Sequence, residues 1–329
     1  MRAAFYEKLG AARDVLHVTE MPDPIPGPGE VRVRVHASGV NPSDVKMRLG
    51  TGSAANEYPR IIPHSDGAGI VDAVGAGVPA ARIGERVWLW NARWKRAFGT
   101  AADFVALPAE QAVPLPDNID FATGACLGIP ALTAWQAVET DGGVAGGEWV
   151  LVAGGAGSVG HYAIQMARAR GARVIATVSS PAKAAHAAAA GAEIVIDRRA
   201  EDVVATVKSA TGGKGVARVI EVDFAGNVAW LPQVVADYGL VVVYGSSKRE
   251  AEVSFAASIL GNVGYRFFIV YNQPPALRRR ALAALTDMLR AGGLQHSIAA
   301  TFPLAEIAVA HETVEAGRQI GNVVVEIAP

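Results

Sequence analysis

Cysteine is nearly absent. Cys126 stands alone in 329 residues, so no intrachain disulfide and no multi-cysteine zinc site can be built, which suits a reducing, cytoplasmic setting. An excess of charge of either sign is missing too. The chain carries 30 Lys and Arg against 31 Asp and Glu, net charge −1, which removes the electrostatic case for nucleic acid or an anionic membrane as partner. The opening MRAAFYEKLG has neither the apolar core of a signal peptide nor a membrane span, and no internal repeat is visible. Apolar residues make up 51% of the chain, at a length too great for one ordinary core. A soluble, globular protein of two domains is expected.

Residues 148–180, EWVLVAGGAGSVGHYAIQMARARGARVIATVSS, read as strand, glycine turn, helix and second strand. Val150, Leu151, Val152 and Ala153 form the short apolar run of a strand buried on both faces. Gly154, Gly157 and Gly160 follow at three-residue spacing, a GxxGxxG turn that departs from the stricter GxGxxG. The first glycine permits the tight turn, the second admits the backbone to a pyrophosphate, and the third lets the helix pack on the strand. The phosphates then sit at the positive helix N-terminus. Gly154, Ala156, Gly157, Ser158, Val159 and Gly160 are the candidate contacts. A tight turn without ligand is the plainer alternative. No Lys-Ser or Lys-Thr pair follows the glycines, which excludes a Walker-type loop. Gly171 is placed to end the helix.

The end of the second strand bears on the cofactor. An NAD site wants an acid about 20 residues after the glycines, to accept from the ribose 2′-hydroxyl. Here stand Thr177, Val178, Ser179 and Ser180. The hydroxyls of Ser179 and Ser180 and the ammonium of Lys183 can instead receive a 2′-phosphate, with Arg198 as a second cation, so NADPH is favoured. The alternative is that Lys183 and Arg198 are solvated surface charges.

Short alternating segments and proline-rich turns over 1–121, such as VRVRVHASGV, give the texture of a β-rich domain. From 122 to 270 helices alternate with six apolar strands, VLVAG, RVIATV, EIVI, RVIEV, LVVVYG and RFFIVY, the pattern of a doubly wound parallel sheet. Two helices and a last strand, GNVVVEI, follow in 271–329; that strand is expected to return to the first domain. The fold class is α/β, and Arg278, Arg279 and Arg280 are expected on a solvated helix face.

These landmarks resemble the zinc-free quinone oxidoreductase, or zeta-crystallin-like, branch of the medium-chain dehydrogenase/reductases. The resemblance runs end to end through GVNPSD (39–44), PHSDGAGIV (63–71), IGERVW (83–88), GIPALTAW (128–135), the Gly154 turn and HETVEAGRQIGNVVV. It implies a GroES-like domain (1–121 and 271–329) with a Rossmann NADPH-binding domain (122–270) inserted. It further implies nicotinamide contacts at Gly245, Ser246, Phe268 and Val270, and at Asn322, where relatives often carry Lys. A homodimer or homotetramer is expected by the same analogy.

Zinc-dependent relatives carry metal ligands at positions matching Asn41, Ser65 and Ile129, and no metal is expected on that set. His64 beside them reads as a structural histidine. The chemistry left is hydride delivery to an electron-poor acceptor, a quinone or another planar conjugated carbonyl. Asn41 can donate to the developing oxyanion or can simply stabilise the turn before Pro42; Thr133 can bond the carboxamide or cap a helix. Asp44 reads as structural. Trp88, Trp90, Trp94 and Phe98 either wall an acceptor pocket or pack the core. An enoyl or 2-alkenal reductase, and a crystallin-like NADPH-binding protein with little turnover, are the alternatives.

Overall fold

The computed structural model describes residues 1–52 and 58–327. In chain order the strands are β1 (Arg2–Phe5), β2 (His17–Glu20), β3 (Glu30–Val40), β4 (Asp66–Val74), β5 (Arg86–Leu89), β6 (Phe104–Pro108), β7 (Ala112–Pro114), β8 (Trp149–Val152), β9 (Arg173–Val178), β10 (Ile194–Asp197), β11 (Val216–Glu221), β12 (Val235–Val243), β13 (Gly264–Phe267), β14 (Ile298–Pro303) and β15 (Asn322–Glu326). The chain divides into two compact units, Met1–Pro130 with Leu282–Pro329, and Ala131–Ala281.

The first unit is built on the long strand β3. Its VRVRV alternation puts Val31, Val33 and Val35 wholly in the core, while Arg32 faces outward to pair with Asp72 at 3.0 Å. A seven-stranded sheet runs β14-β15-β3-β4-β5-β7, with β6 also on β3. The last strand thus returns to the N-terminal sheet, β15 antiparallel to β3 and β14 parallel to β15. Trp88 has no exposed surface and Trp90 is buried, so these two pack the core; Trp94 is half-buried and Phe98 exposed.

The second unit is a six-stranded sheet in the order β10-β9-β8-β11-β12-β13, every pairing parallel. The central strands are apolar on both faces because helices cover both, and Val150, Leu151, Val174, Ile175, Val219, Ile220, Val241 and Val242 are fully buried. The order reverses between β8 and β11, which makes the carboxyl ends of those strands the switch point of a doubly wound sheet. Side chains of Ser180, Asp202, Asp223 and Ser254 accept from backbone N–H groups to start four of the helices.

Two expectations need correction. RFFIVY is not one strand: its partner β12 ends at Val243, where Phe268 N–H makes the final bond, and the chain then turns into a 3-10 segment at Val270–Asn272. The arginine tract is not wholly solvated. Arg279 and Arg280 are exposed, but Arg278 is buried and donates to the Val270 carbonyl.

Another buried arginine cross-braces this unit. Arg218 of β11 donates to the carbonyls of Ala137, Thr140 and Gly143 at 3.0, 2.8 and 3.0 Å. Arg218→Met strands all three acceptors and is expected to lower unfolding stability by on the order of 3 kcal/mol, read as a drop in urea midpoint.

Candidate functional site

The turn after β8 is shaped by missing Cβ atoms. Gly154 adopts a left-handed φ of 71°, and a Cβ on Gly160 would stand 2.3 Å from the Gly154 carbonyl oxygen. Gly157 caps the Ser158–Ala169 helix, whose first N–H groups, those of Ser158, Val159 and Gly160, have no intrahelical acceptor. Thr177 of β9 holds the turn, its Oγ1 accepting from Gly154 N–H at 3.2 Å and its carbonyl from Gly155 N–H at 2.9 Å. Gly155 was overlooked in the sequence. A Cβ there would lie 2.8 Å from that of Ala176, and Gly155, Gly157 and Gly160 satisfy the stricter GxGxxG. The signal was present, hidden by reading the spacing from Gly154.

Beside this turn, Ser179 and Ser180 follow β9, and Ser180 caps the Pro181–Ala189 helix by accepting from Lys183 N–H at 3.3 Å. That bond uses an oxygen lone pair and leaves the Ser180 hydroxyl hydrogen able to donate. Burial first, then the guanidinium groups of Arg199 and Arg198, lower the Lys183 pKa, which puts three cations in one neighbourhood. Arg199 is a second residue the sequence reading missed. Arg198 N–H bonds the Val178 carbonyl at 3.1 Å, tying the IDRR turn to the end of β9. Burial disfavours ionised Asp223, but the Ser247 hydroxyl, the N–H groups of Ser247 and Gly226, and Arg198 together hold its carboxyl below the usual range.

The loops after β11 and β12 are stitched together. Phe224 N–H reaches the Gly245 carbonyl, Ala225 N–H the Ser246 hydroxyl and Ser247 N–H the Asp223 carboxylate, at 3.0, 3.2 and 2.7 Å. A Cβ on Gly245 would meet the Val222 carbonyl at 2.3 Å. Buried Glu221 holds Asn227 beneath this pair of loops, and burial pushes its carboxyl up to about 7. Phe268 is half-buried and Val270 buried. Thr133 is buried in the first turn of the Leu132–Glu139 helix, which is capped by Ala131, so Thr133 is not a capping residue.

In the first unit Asn41 is buried at the start of the Pro42–Leu49 helix, its backbone N–H bound by Asp44 at 2.8 Å in a capping box. Its Nδ2 donates to Asp66 Oδ2 at 2.8 Å, and the same oxygen accepts from Ile129 N–H at 2.9 Å, within a single π turn, Leu127–Ala131. Ser65 is buried next to them in sequence. Asn322 opens β15 and donates to the Ser297 carbonyl from Nδ2 at 2.9 Å.

A directional hydrogen-bond chain runs behind Asp66. The Asp66 carbonyl can only accept, so Thr100 donates to it at 2.5 Å and Ser38 donates to Thr100 at 2.7 Å. His64 Nδ1–H must then donate to Ser38, at 2.8 Å, which leaves Nε2 to accept from His311 Nε2–H at 2.9 Å. His64 holds a left-handed φ of 74° with both ring nitrogens engaged.

Residues 158–288 match the family described as zinc-binding dehydrogenase, and residues 27–117 match the alcohol dehydrogenase GroES-like domain. A quinone oxidoreductase of Pongo abelii is 31% identical over 95% of this chain and 94% of its own. The chain belongs to the quinone oxidoreductase branch of the medium-chain dehydrogenase/reductases. A Burkholderia 2-haloacrylate reductase is 31% identical over 91% of each chain. Of similar solved structures, one described as an NAD-dependent alcohol dehydrogenase has TM-score 0.90 and 31% identity over 100% of both chains. The Escherichia coli quinone oxidoreductase complexed with NADPH has TM-score 0.89 and 26% identity, covering 99% of this chain and 100% of its own.

The family description raises zinc, which the residues do not fit. At the three matching positions Asn41 and Ile129 turn N–H donors toward Asp66, and Ser65 offers a neutral hydroxyl. No thiolate or imidazole stands there, and among the described residues no three His, Cys, Asp or Glu side chains group to hold a metal.

Burial drives the His64 pKa down to about 3, and burial, His64 and Arg48 lower that of His311. Unfolded histidines titrate near 6.5, so below that pH the unfolded chain binds more protons. The pair's stabilisation is full above about 6.5 and is lost as pH falls toward 3. The stability difference between the parent and a His64→Asn/His311→Gln variant should shrink by on the order of 2 kcal/mol from pH 6.5 to 5, read by urea unfolding.

Proposed function

We propose that this chain transfers a hydride from NADPH to a quinone without a metal. The observation that carries the cofactor reading is the pairing of the glycine turn at the β8–β11 switch point with Lys183, Arg198 and Arg199 at the ends of β9 and β10, where an NAD site would present an acid. The residues present fit the group. The backbone from Gly154 to Gly160 and the helix N-terminus would hold the pyrophosphate. Ser179, Ser180 and the three cations would hold the 2′-phosphate. Gly245, Ser246, Phe268, Val270, Thr133 and Asn322 are the proposed contacts to the nicotinamide side. When bound, NADPH supplies the hydride.

The protein's own part is orientation, exclusion of water and stabilisation of charge on the acceptor oxygen. Asn41 is the proposed donor: one Nδ2–H is spent on Asp66, and the second is left for that oxygen. In this reading 122–270 is the nucleotide domain and 1–121 with 271–329 the substrate domain. The molecule works in the cytoplasm as a homodimer or homotetramer. No helix among the described residues is long and apolar enough to cross a membrane.

The likeness to a 2-haloacrylate reductase favours a second reading, reduction of an activated carbon–carbon double bond on the same scaffold. Both acceptors take up hydride as a conjugated oxyanion, so the assay must be direct. NADPH oxidation with a benzoquinone, a naphthoquinone, a 2-alkenal and 2-chloroacrylate in parallel is expected to be fastest with a quinone; faster turnover of either alkene would replace the first reading by the second. Lys183→Ala and Arg199→Ala should each weaken NADPH by on the order of 1–3 kcal/mol and leave NADH nearly unchanged, by fluorescence titration. Equal losses for both nucleotides would remove these residues from the 2′-phosphate site.

A further inference from the structure

We propose that Asp66 is a positioning residue that fixes which atoms of the Asn41 carboxamide are offered to the acceptor. This rests on the reading of Asn41 as the oxyanion donor. Asp66 is fully buried and held on every side. Its backbone pairs in register with Gly39 of β3, and its carbonyl receives the Thr100 end of the chain that begins at His311. Its carboxylate fills space that only glycine leaves open: a Cβ on Gly128 would lie 2.3 Å from Oδ1. Oδ2 meets two N–H groups, one from Asn41 and one from Ile129.

The consequence is chemical. An amide side chain can turn either end toward a neighbour, and two facing amides can exchange roles. The Asp66 Oδ2, which takes one N–H from Asn41 and another from Ile129, acts only as an acceptor. Asp66 therefore pins Asn41 with its nitrogen inward, while the Asn41 oxygen faces the backbone N–H of Asp44 in the capping box. One polar hydrogen remains, the second Nδ2–H, and its direction follows from the bond to Asp66. Asp66 touches neither substrate nor cofactor in this account; it acts through Asn41. It bonds Asn41 and Ile129, two of the three positions that match metal ligands of zinc-dependent relatives, and the arrangement offers an oriented N–H in place of a Lewis acid.

The test uses the whole enzyme and a cycle of Asn41→Ala, Asp66→Asn and the double variant, with kcat, KM for quinone and KM for NADPH measured for each. Asn41→Ala should lower kcat by on the order of 10²-fold. Asp66→Asn should lower it by a comparable factor with KM for NADPH unchanged, and the double variant should be no slower than the worse single one. If Asn41→Ala slows the enzyme but Asp66→Asn does not, or if the two losses multiply, the positioning role is wrong. If Asn41→Ala leaves kcat intact, the donor reading itself fails, a separate result. Should Asp66→Asn not fold, the parent decides: the side-chain amide of Asn41, assigned by the signal lost in Asn41→Ala, should show two well-separated proton shifts, one far downfield. Two near-equivalent, rapidly exchanging protons would overturn the proposal.

Discussion

The close approach of the Ser158–Ala169 helix to the end of β8 is the constraint on which the nucleotide unit turns. It exists because Gly160 has no Cβ: a methyl there would stand 2.3 Å from the Gly154 carbonyl. With that contact made, the first N–H groups of the helix face the end of the central strand, and β9 and β11 flank it in a six-stranded parallel sheet. The three cations then gather where the neighbouring strands β9 and β10 end. In the proposed reading, backbone geometry sets the place of the phosphates and side-chain charge sets which nucleotide is preferred.

The other unit solves a different problem, how to hold polar groups in a dry sheet. Ser38, His64, Thr100, Asp66, Asn41 and His311 are all buried, and each is hydrogen-bonded to another of the set. Buried polar groups left unpaired would cost more than these bonds return, which is why each of these residues finds a partner within the set. Its direction follows from one carbonyl that can only accept. That rigidity suits the proposed reaction, in which the protein supplies orientation in place of a metal.

Much of this was legible in the sequence, for local reasons. Strand, turn and helix in 148–180 are written in adjacent residues: apolar runs, glycines and Gly171 in its left-handed position. The return of β15 to the first sheet followed from the order of elements. What stayed hidden depends on partners distant in the chain. Arg278 looked solvated until the Val270 carbonyl was seen beneath it, and RFFIVY looked like a long strand until β12 proved to end at Val243. His64 gave no sign of His311, 247 residues away, nor Asp66 of Ile129. Arg199 and Gly155 are different: each stands beside a residue of the same motif, Arg198 and Gly154, and is written in the local sequence.

The most direct test of the account is calorimetric titration of the parent enzyme with 2′,5′-ADP and with 5′-AMP at low and high salt. The account predicts that the 2′-phosphate tightens binding at least about tenfold at low ionic strength and that the preference shrinks as salt screens the cations. Equal affinity for the two nucleotides at low salt would contradict it.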